Sequence, residues 1–572
     1  MNKAATSKRP AWKIILQLVR YEPARWSGHL STQIIFMLLM QCQAFAIYTF
    51  FNLLTGATSA WSVWGLILLL YATRVVRESC RYLGVDLQTP FLAHCTALLR
   101  RNLLHFIFHR PGAQALPSSP GEALSRFMGD TNQIADFALW MNMVISWAIY
   151  SVIAVVVMIS ISPLITVVAV LPFILVTLIA SIAARRIEHY HRLTRQWTGN
   201  VTGFLGEVLG SIQAVQVAGA EQSILQHFAT LNHERQKTAL KEHLFNALLQ
   251  SVTTNSTNVA TGLILLLSGS LIQAHTFTVG DFALFIYYLD QFSYFISLVT
   301  TAVARYRQLS VSIERIDLLM TGAPAAALIE PVAVPLRNFV PASPLPQRTK
   351  EDRLEVLEVR NLTCLYLHTD KGVKDMALTL QRGSFTVITG PIGCGKTTFL
   401  RALLGLLPLD SGQILWNGKP IDSLAAFMTP PRVAYTAQLP RLFSETVQAN
   451  LLLGLPPDET SIKEAIQAAV LEQDVIELTQ GLATLIGPKG LKLSGGQLQR
   501  VAAARMFIRQ PELLVFDDIS SALDINTERL LWSRLLADKG KTILAVSHRE
   551  AVLQQADQVI SLVPSSGKII VQ

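Results

Sequence analysis

Six stretches of this chain, roughly 28–54, 61–84, 137–161, 163–183, 249–273 and 280–303, are apolar over the length needed to cross a bilayer, and they decide what the first half can fold into. A hydrocarbon core of about 30 Å takes about 20 helical residues. Lipid offers no hydrogen-bond partner to a free peptide group, so each stretch must satisfy its backbone internally, as a helix. With 51% hydrophobic and 15% charged residues and a mean hydropathy of +0.38, the chain is too apolar for an ordinary soluble enzyme. Its 572 residues also exceed one hydrophobic core, so a second domain is expected.

Charge sets the orientation. The connections GATSA, SISP and QAHTFT carry no Lys or Arg, whereas Arg100, Arg101, Arg110, Arg126, Arg185, Arg186, Arg192, Arg195, Arg305 and Arg307 flank the other helix ends. The positive-inside tendency makes those ends, and both termini, cytoplasmic. The net charge of +9 contains no block of consecutive Lys or Arg and lies beside the apolar runs, which points to a membrane surface and its lipid, not to nucleic acid. Five cysteines are scattered without metal-ligand or disulfide spacing and read as reduced thiols.

Ahead of the first span, AWKIILQLVRYEPARW alternates apolar and basic positions at helical spacing, as a helix in the interface does, although an ordinary solvated helix has the same pattern. No small-residue cleavage site follows the first apolar run, so no cleavage is expected. The segments between spans two and three and between four and five are polar but helix-compatible. A second helix from Trp61 to about Arg110 would extend roughly 75 Å, far beyond the hydrocarbon, with Pro90 expected to kink it. From Thr321 to about Arg353 the text is rich in Pro and Ala and reads as a linker. Beyond it FTVIT, RVAYTA, LLVFD and TILAVS alternate with helix-like runs, predicting an α/β domain with a mostly parallel sheet.

That domain carries the chemistry. GPIGCGKT, Gly390 to Thr397, follows an apolar strand and fits the P-loop pattern. Gly390, Gly393, Cys394 and Gly395 let successive N–H groups point at phosphate oxygens, Lys396 adds a charge, Thr397 offers a hydroxyl to Mg²⁺, and Thr398 continues the turn. About 120 residues later LLVFD delivers Asp517, placed to hold Mg²⁺; a strand-end helix cap is the plainer reading.

Between them lies LSGGQLQR, Leu493 to Arg500. With this motif beside a P-loop the chain resembles the ATP-binding cassette (ABC) transporters, and specifically exporter-type half-transporters of six transmembrane helices fused to one nucleotide-binding domain. The resemblance covers nearly the whole chain. It implies an ATPase using ATP and Mg²⁺ in a bacterial plasma membrane, laid out as an elbow helix in 1–27, a transmembrane domain in 28–320, a linker in 321–353 and a nucleotide-binding domain in 354–572. Ser494, Gly495, Gly496 and Gln497 form the signature's anion cradle. By position Tyr366 matches an aromatic that stacks on adenine, with plain packing as the alternative; Gln438 matches the Q-loop glutamine, which would approach Mg²⁺ beside Thr397 and Asp517 and sense the membrane domain, His548 the switch histidine that contacts the γ-phosphate, and SALD the D-loop. Family members pair two such domains head to tail, each ATP lying between one P-loop and the opposite LSGGQ, so a dimer is implied.

Two departures stand out. Efficient members of the family place glutamate after the Walker B aspartate, where it polarises the attacking water. This chain has Asp518. One methylene fewer withdraws the carboxylate by about 1.5 Å, and a misplacement of that size can cost about 100-fold. The glutamate-bearing segment before the signature reads TLIGPKG, with Leu485 and Pro488 at the acidic positions. Such chains are often the weak-site half of a heterodimer, which favours a second half-transporter as partner over a homodimer in which Asp518 still works.

In the second span Arg74, Arg77, Glu78 and Arg81 share an arc of roughly 100°. They read either as a cavity wall for polar or anionic cargo, or as Arg74 paired with Glu78, with Asp290 of the sixth span as another mate. RPGAQALPSSPGEALSRF and GEVLGSIQAVQVAGAEQ match the placement of coupling helices, or are passive turns. ATP-driven export is the leading function. A nucleotide-responsive membrane sensor, or an importer on the same helix plan, is the alternative, separable by ATP-dependent flux into inside-out vesicles. The cargo is not named by any motif.

Overall fold

The computed structural model describes residues 11–56, 59–109, 120–274, 276–320, 327–332, 348–366, 371–487, 493–562 and 569–571. Most of the linker, most of the first coupling segment and Pro488 lie outside them. The chain divides into two compact units, one of residues 1–105 and 118–334, the other of residues 106–117 and 335–572.

The first unit is helical: α1 (Ala11–Tyr21), α2 (Pro23–Leu54), α3 (Val63–Phe108), α4 (Pro120–Ser125), a π turn (Arg126–Asp130), α5 (Thr131–Ile161), α6 (Pro163–Gly210), α7 (Ile212–Val217), α8 (Glu221–Gln273) and α9 (Val279–Leu319). Six of these hold the expected spans. Among the described residues four helices are long and apolar enough to cross a membrane by length and composition alone, and a shorter apolar run covers Pro163–Val176. α3 falls short of that measure because its charges at 74–81 interrupt the apolar run. It is continuous through Pro90.

Local chemistry sets the helix starts. Ser162 caps α6 by accepting from the Ile165 amide, with Pro163 in the first turn where no N–H is missed. Thr278 and Asp281 form a reciprocal capping box at α9. The next turn is pinned to α2, since Asn52 Oδ1 accepts from the Gly280 amide at 3.1 Å. A Cβ at Gly280 would lie 2.4 Å from the Tyr48 carbonyl oxygen, so the close approach requires glycine. Met37, Ala44, Trp147, Tyr150, Phe285 and Tyr288 are buried in one cluster. In α1 the residues Ala11, Ile14, Ile15 and Leu18 are buried, while Trp12 is exposed.

The polar stretches of α6 and α8 are latched together. Tyr190 stacks on Phe245 with ring centres 5.4 Å apart, Lys241 lies over the same tyrosine, and His191 Nδ1 lies 2.6 Å from Glu242 Oε1.

The second unit runs β1 (Val356–Leu365), β2 (Gly372–Gln381), β3 (Phe385–Thr389), α10 (Lys396–Leu403), β4 (Ser411–Trp416), β5 (Lys419–Pro420), α11 (Leu424–Phe427), β6 (Val433–Thr436), α12 (Val447–Leu452), α13 (Glu459–Ala468), α14 (Glu472–Glu477), α15 (Gly495–Phe507), β7 (Leu513–Asp517), α16 (Ile525–Leu536), β8 (Thr542–Val546), α17 (Glu550–Leu553), β9 (Gln558–Leu562) and β10 (Ile569–Val571). One sheet is antiparallel in the order β2-β1-β4-β5, and the other runs β10-β9-β3-β8-β7-β6. Strands β9, β3, β8, β7 and β6 are parallel neighbours, and β10 joins β9 antiparallel. The central strands are buried on both faces, which explains why FTVIT, LLVFD and TILAV are continuous apolar runs and do not alternate.

Candidate functional site

Parallel strands send their C-terminal ends to one edge, and there β3 opens into the P-loop while β7 ends in Asp517. Gly390 and Gly395 take left-handed φ values of 137° and 101°. A Cβ at Gly390 would lie 2.5 Å from the Leu562 carbonyl oxygen, and one at Gly395 2.7 Å from Val373 Cγ1. Only glycine allows this loop at the start of α10, where free backbone amides make a site suited to an anion. Lys396 Nζ donates to the carbonyls of Gly390 and Pro391, both at 2.8 Å, and so spans the loop.

Thr397 Oγ1 donates to Asp517 Oδ1 at 3.1 Å, bringing together two of the expected metal ligands across 120 residues. Tyr435 of β6 reaches Asp517 Oδ2 at 3.4 Å. Burial pushes the Asp517 carboxyl above its usual range, against the hydrogen bonds from Thr397 and Tyr435. Burial, then the neighbouring Asp517 charge, pushes the Tyr435 phenol up to about 12. The half-buried Thr397 hydroxyl and the buried Asp517 carboxylate side by side form a hard-oxygen set suited to Mg²⁺.

Asp518 follows at a left-handed φ of 56°. Its carboxylate Oδ2 accepts from Gln438 Nε2 at 3.5 Å. The Tyr366 phenol lies 3.2 Å from Thr398 Oγ1 and the residue is 42% exposed, so its ring stands beside the first turn of α10. His548 is exposed at the end of β8. Ser494 caps α15, taking part with Gln497 in a reciprocal capping box; the Gln497 amide also donates to Asp474 at 3.1 Å.

Comparison with known proteins gives the family. The family described as ABC transporter matches residues 373–521, and that described as ABC transporter transmembrane region matches residues 31–295. The chain belongs to the ABC transporter family. It joins one ABC membrane region to one ABC ATPase domain, the arrangement of an exporter-type half-transporter. The ATP-dependent lipid A-core flippase of Bordetella avium is 26% identical over 89% of this chain and 84% of its own. A fatty acid ABC transporter ATP-binding/permease protein of Mycobacterium bovis is 26% identical over 88% of this chain and 77% of its own. The solved structure of a bacterial Atm1-family ABC exporter with ATP bound superposes with a TM-score of 0.74 at 20% identity, covering 94% of this chain and 93% of that one. This ABC protein is therefore an ATP-driven, multi-pass exporter of the plasma membrane.

In the membrane unit of this ABC exporter the α3 charges divide. Arg74 and Arg81 both pair with Glu78, at 3.4 and 3.2 Å, and all three are exposed. Arg77 is buried: its guanidinium donates to Gln43 Oε1 at 2.6 Å and lies 4.4 Å from the Phe36 ring centre. Asp290 accepts from the neighbouring Gln291 amide at 3.1 Å, while Arg74 takes Glu78. Two residues escaped sequence reading, Tyr435 and Gln499. Nothing in RVAYTA marks its tyrosine as a partner of Asp517, and Gln499 lies inside LSGGQLQR behind better-known letters.

Proposed function

We propose that the protein is the weaker-hydrolysing half of a dimeric exporter, with each ATP held between the P-loop and Asp517 of one subunit and the LSGGQ of the other. Thr397 and Asp517 would hold Mg²⁺, which when bound neutralises charge on the phosphate oxygens. Lys396 and the P-loop amides bind the phosphates, Tyr366 stands where an adenine ring stacks, and Gln438 and His548 orient the attacking water and the γ-phosphate. Each ATP needs a second signature, so the partner is another half-transporter, with a heterodimer favoured.

The observation that carries the weak-site reading is Asp518. Its short carboxylate engages the Gln438 amide at 3.5 Å, and it lacks the methylene that carries a glutamate to the water. An intact LSGGQ suits the competent site of a partner bearing glutamate. For cargo, the exposed Arg74, Glu78 and Arg81 stripe carries a net positive charge and favours an anionic or polar group; relatives named for lipid A-core and fatty acid make an anionic amphiphile the fitting class.

MgATP turnover of the purified chain tests the reading. Turnover is expected to be slow and to rise at least about tenfold in Asp518→Glu. Brisk turnover by the unaltered chain, abolished in Asp518→Asn, would sink it.

A further inference from the structure

Gln499 is 3% exposed, and every polar atom of its side chain is engaged. Its Nε2 donates to the Gln438 carbonyl at 3.4 Å and to Ser521 Oγ at 2.9 Å, and its Oε1 accepts from the Ala522 amide at 3.2 Å. Ser521 Oγ donates in turn to the Asp518 carbonyl at 3.1 Å. The Gln438 amide closes the circuit on the Asp518 carboxylate at 3.5 Å. The ring therefore runs Gln499, Ser521, Asp518, Gln438 and back, and it fixes a residue held at positive φ from both its backbone and its side chain. Gly496, one turn earlier on α15, leaves no room for movement: a Cβ there would lie 2.9 Å from the Ala522 carbonyl oxygen.

We propose that Gln499 is a positioning residue that ties the signature helix to Asp518 and the Gln438 loop, so that the signature and Asp518 of one ATPase domain, each facing a different ATP in the dimer, respond together. This rests on the shared-ATP reading above. Ser494 to Gln497 serve one nucleotide and Asp518 serves the other, and α15 is the rigid element between them. A buried amide whose three bonds all reach other segments transmits displacement in either direction, whereas an apolar residue of equal volume would fill the space and transmit none.

Hydrogen exchange of the full-length chain in nanodiscs, with and without MgATP, tests this. Gln499→Leu is expected to speed exchange of segments 436–440 and 518–523 together by about fivefold, the loss of about one net hydrogen bond. Gln499→Glu keeps the acceptor for Ala522 but loses both donated bonds, and is expected to loosen 436–440 as much as Gln499→Leu does; it serves where the leucine variant fails to fold. In the unaltered protein MgATP is expected to protect 390–398, 494–500 and 518–523 in parallel. In the variants, protection of 390–398 persists while that of 494–500 and 518–523 no longer rises and falls together. Unaltered exchange in both segments, or parallel protection retained in the variants, overturns the proposal. Absence of MgATP protection at 390–398 in the unaltered protein would overturn the shared-ATP reading instead, leaving the nucleotide-free comparison to judge the ring on its own.

Discussion

At Asp517 one carboxylate is asked to be buried and charged at once. Its folded value lies above the ordinary one, so the fold prefers the protonated form. The stability it allows is full below the unfolded value of about 4 and is lost as pH rises through the raised folded value. Asp517→Asn should therefore raise the melting temperature at pH 7 without nucleotide, since an asparagine oxygen can still accept from Thr397. The same variant should lose most of the MgATP-induced stabilisation, which for the unaltered protein is about 2.7 kcal/mol at a hundredfold excess over Kd. Thermal melts with and without MgATP check both halves, and a variant destabilised in both conditions contradicts them. The P-loop and Asp517 were legible in the sequence because each is a short run whose chemistry follows from its own letters. The partnership of Gln499 with Gln438 and Ser521 was not, because those bonds depend on how loops 61 and 22 residues away fold back on α15.

At the scale of elements, bilayer thickness made the spans readable, since a run of about 20 apolar residues has few other uses. The π turn at Arg126–Asp130 had no such signal, for it is held by contacts from elsewhere in the chain: Ser312 of α9 donates to Asp130 at 2.9 Å, and Arg126 donates to the Arg315 carbonyl at 3.2 Å. On α3 the sequence showed four ionisable residues on one face but not which of them serve structure. Burial separates them. Arg77→Ala removes a charged hydrogen bond and a ring contact and should destabilise the protein by about 2 kcal/mol. Arg81→Ala, an exposed pair, should cost under about 1 kcal/mol and should instead reduce ATPase stimulation by anionic amphiphiles. Melting in detergent beside stimulated ATPase assays separates the two; equal destabilisation by both would refute the division.

For the whole molecule, orientation is the property read from charge alone. A single cysteine at Ser59 or Thr276, in a background lacking the native thiols, should react with an impermeant maleimide on intact cells. One at Val217 should react only after lysis. The opposite pattern would invert the protein in the membrane. At about 1.5 Å per residue the 48 residues of α6 and the 53 of α8 span roughly 70 and 80 Å, more than twice the hydrocarbon thickness. Because Tyr190, Phe245, His191 and Glu242 clasp the two along their polar stretch, they form a doubled beam, stiffer against bending than either rod alone. Such a beam has leverage: pivoted by about 5° at one end, it carries its far tip sideways by about 7 Å. Small rotations at one extremity are thereby geared up into displacements as wide as a side chain at the other.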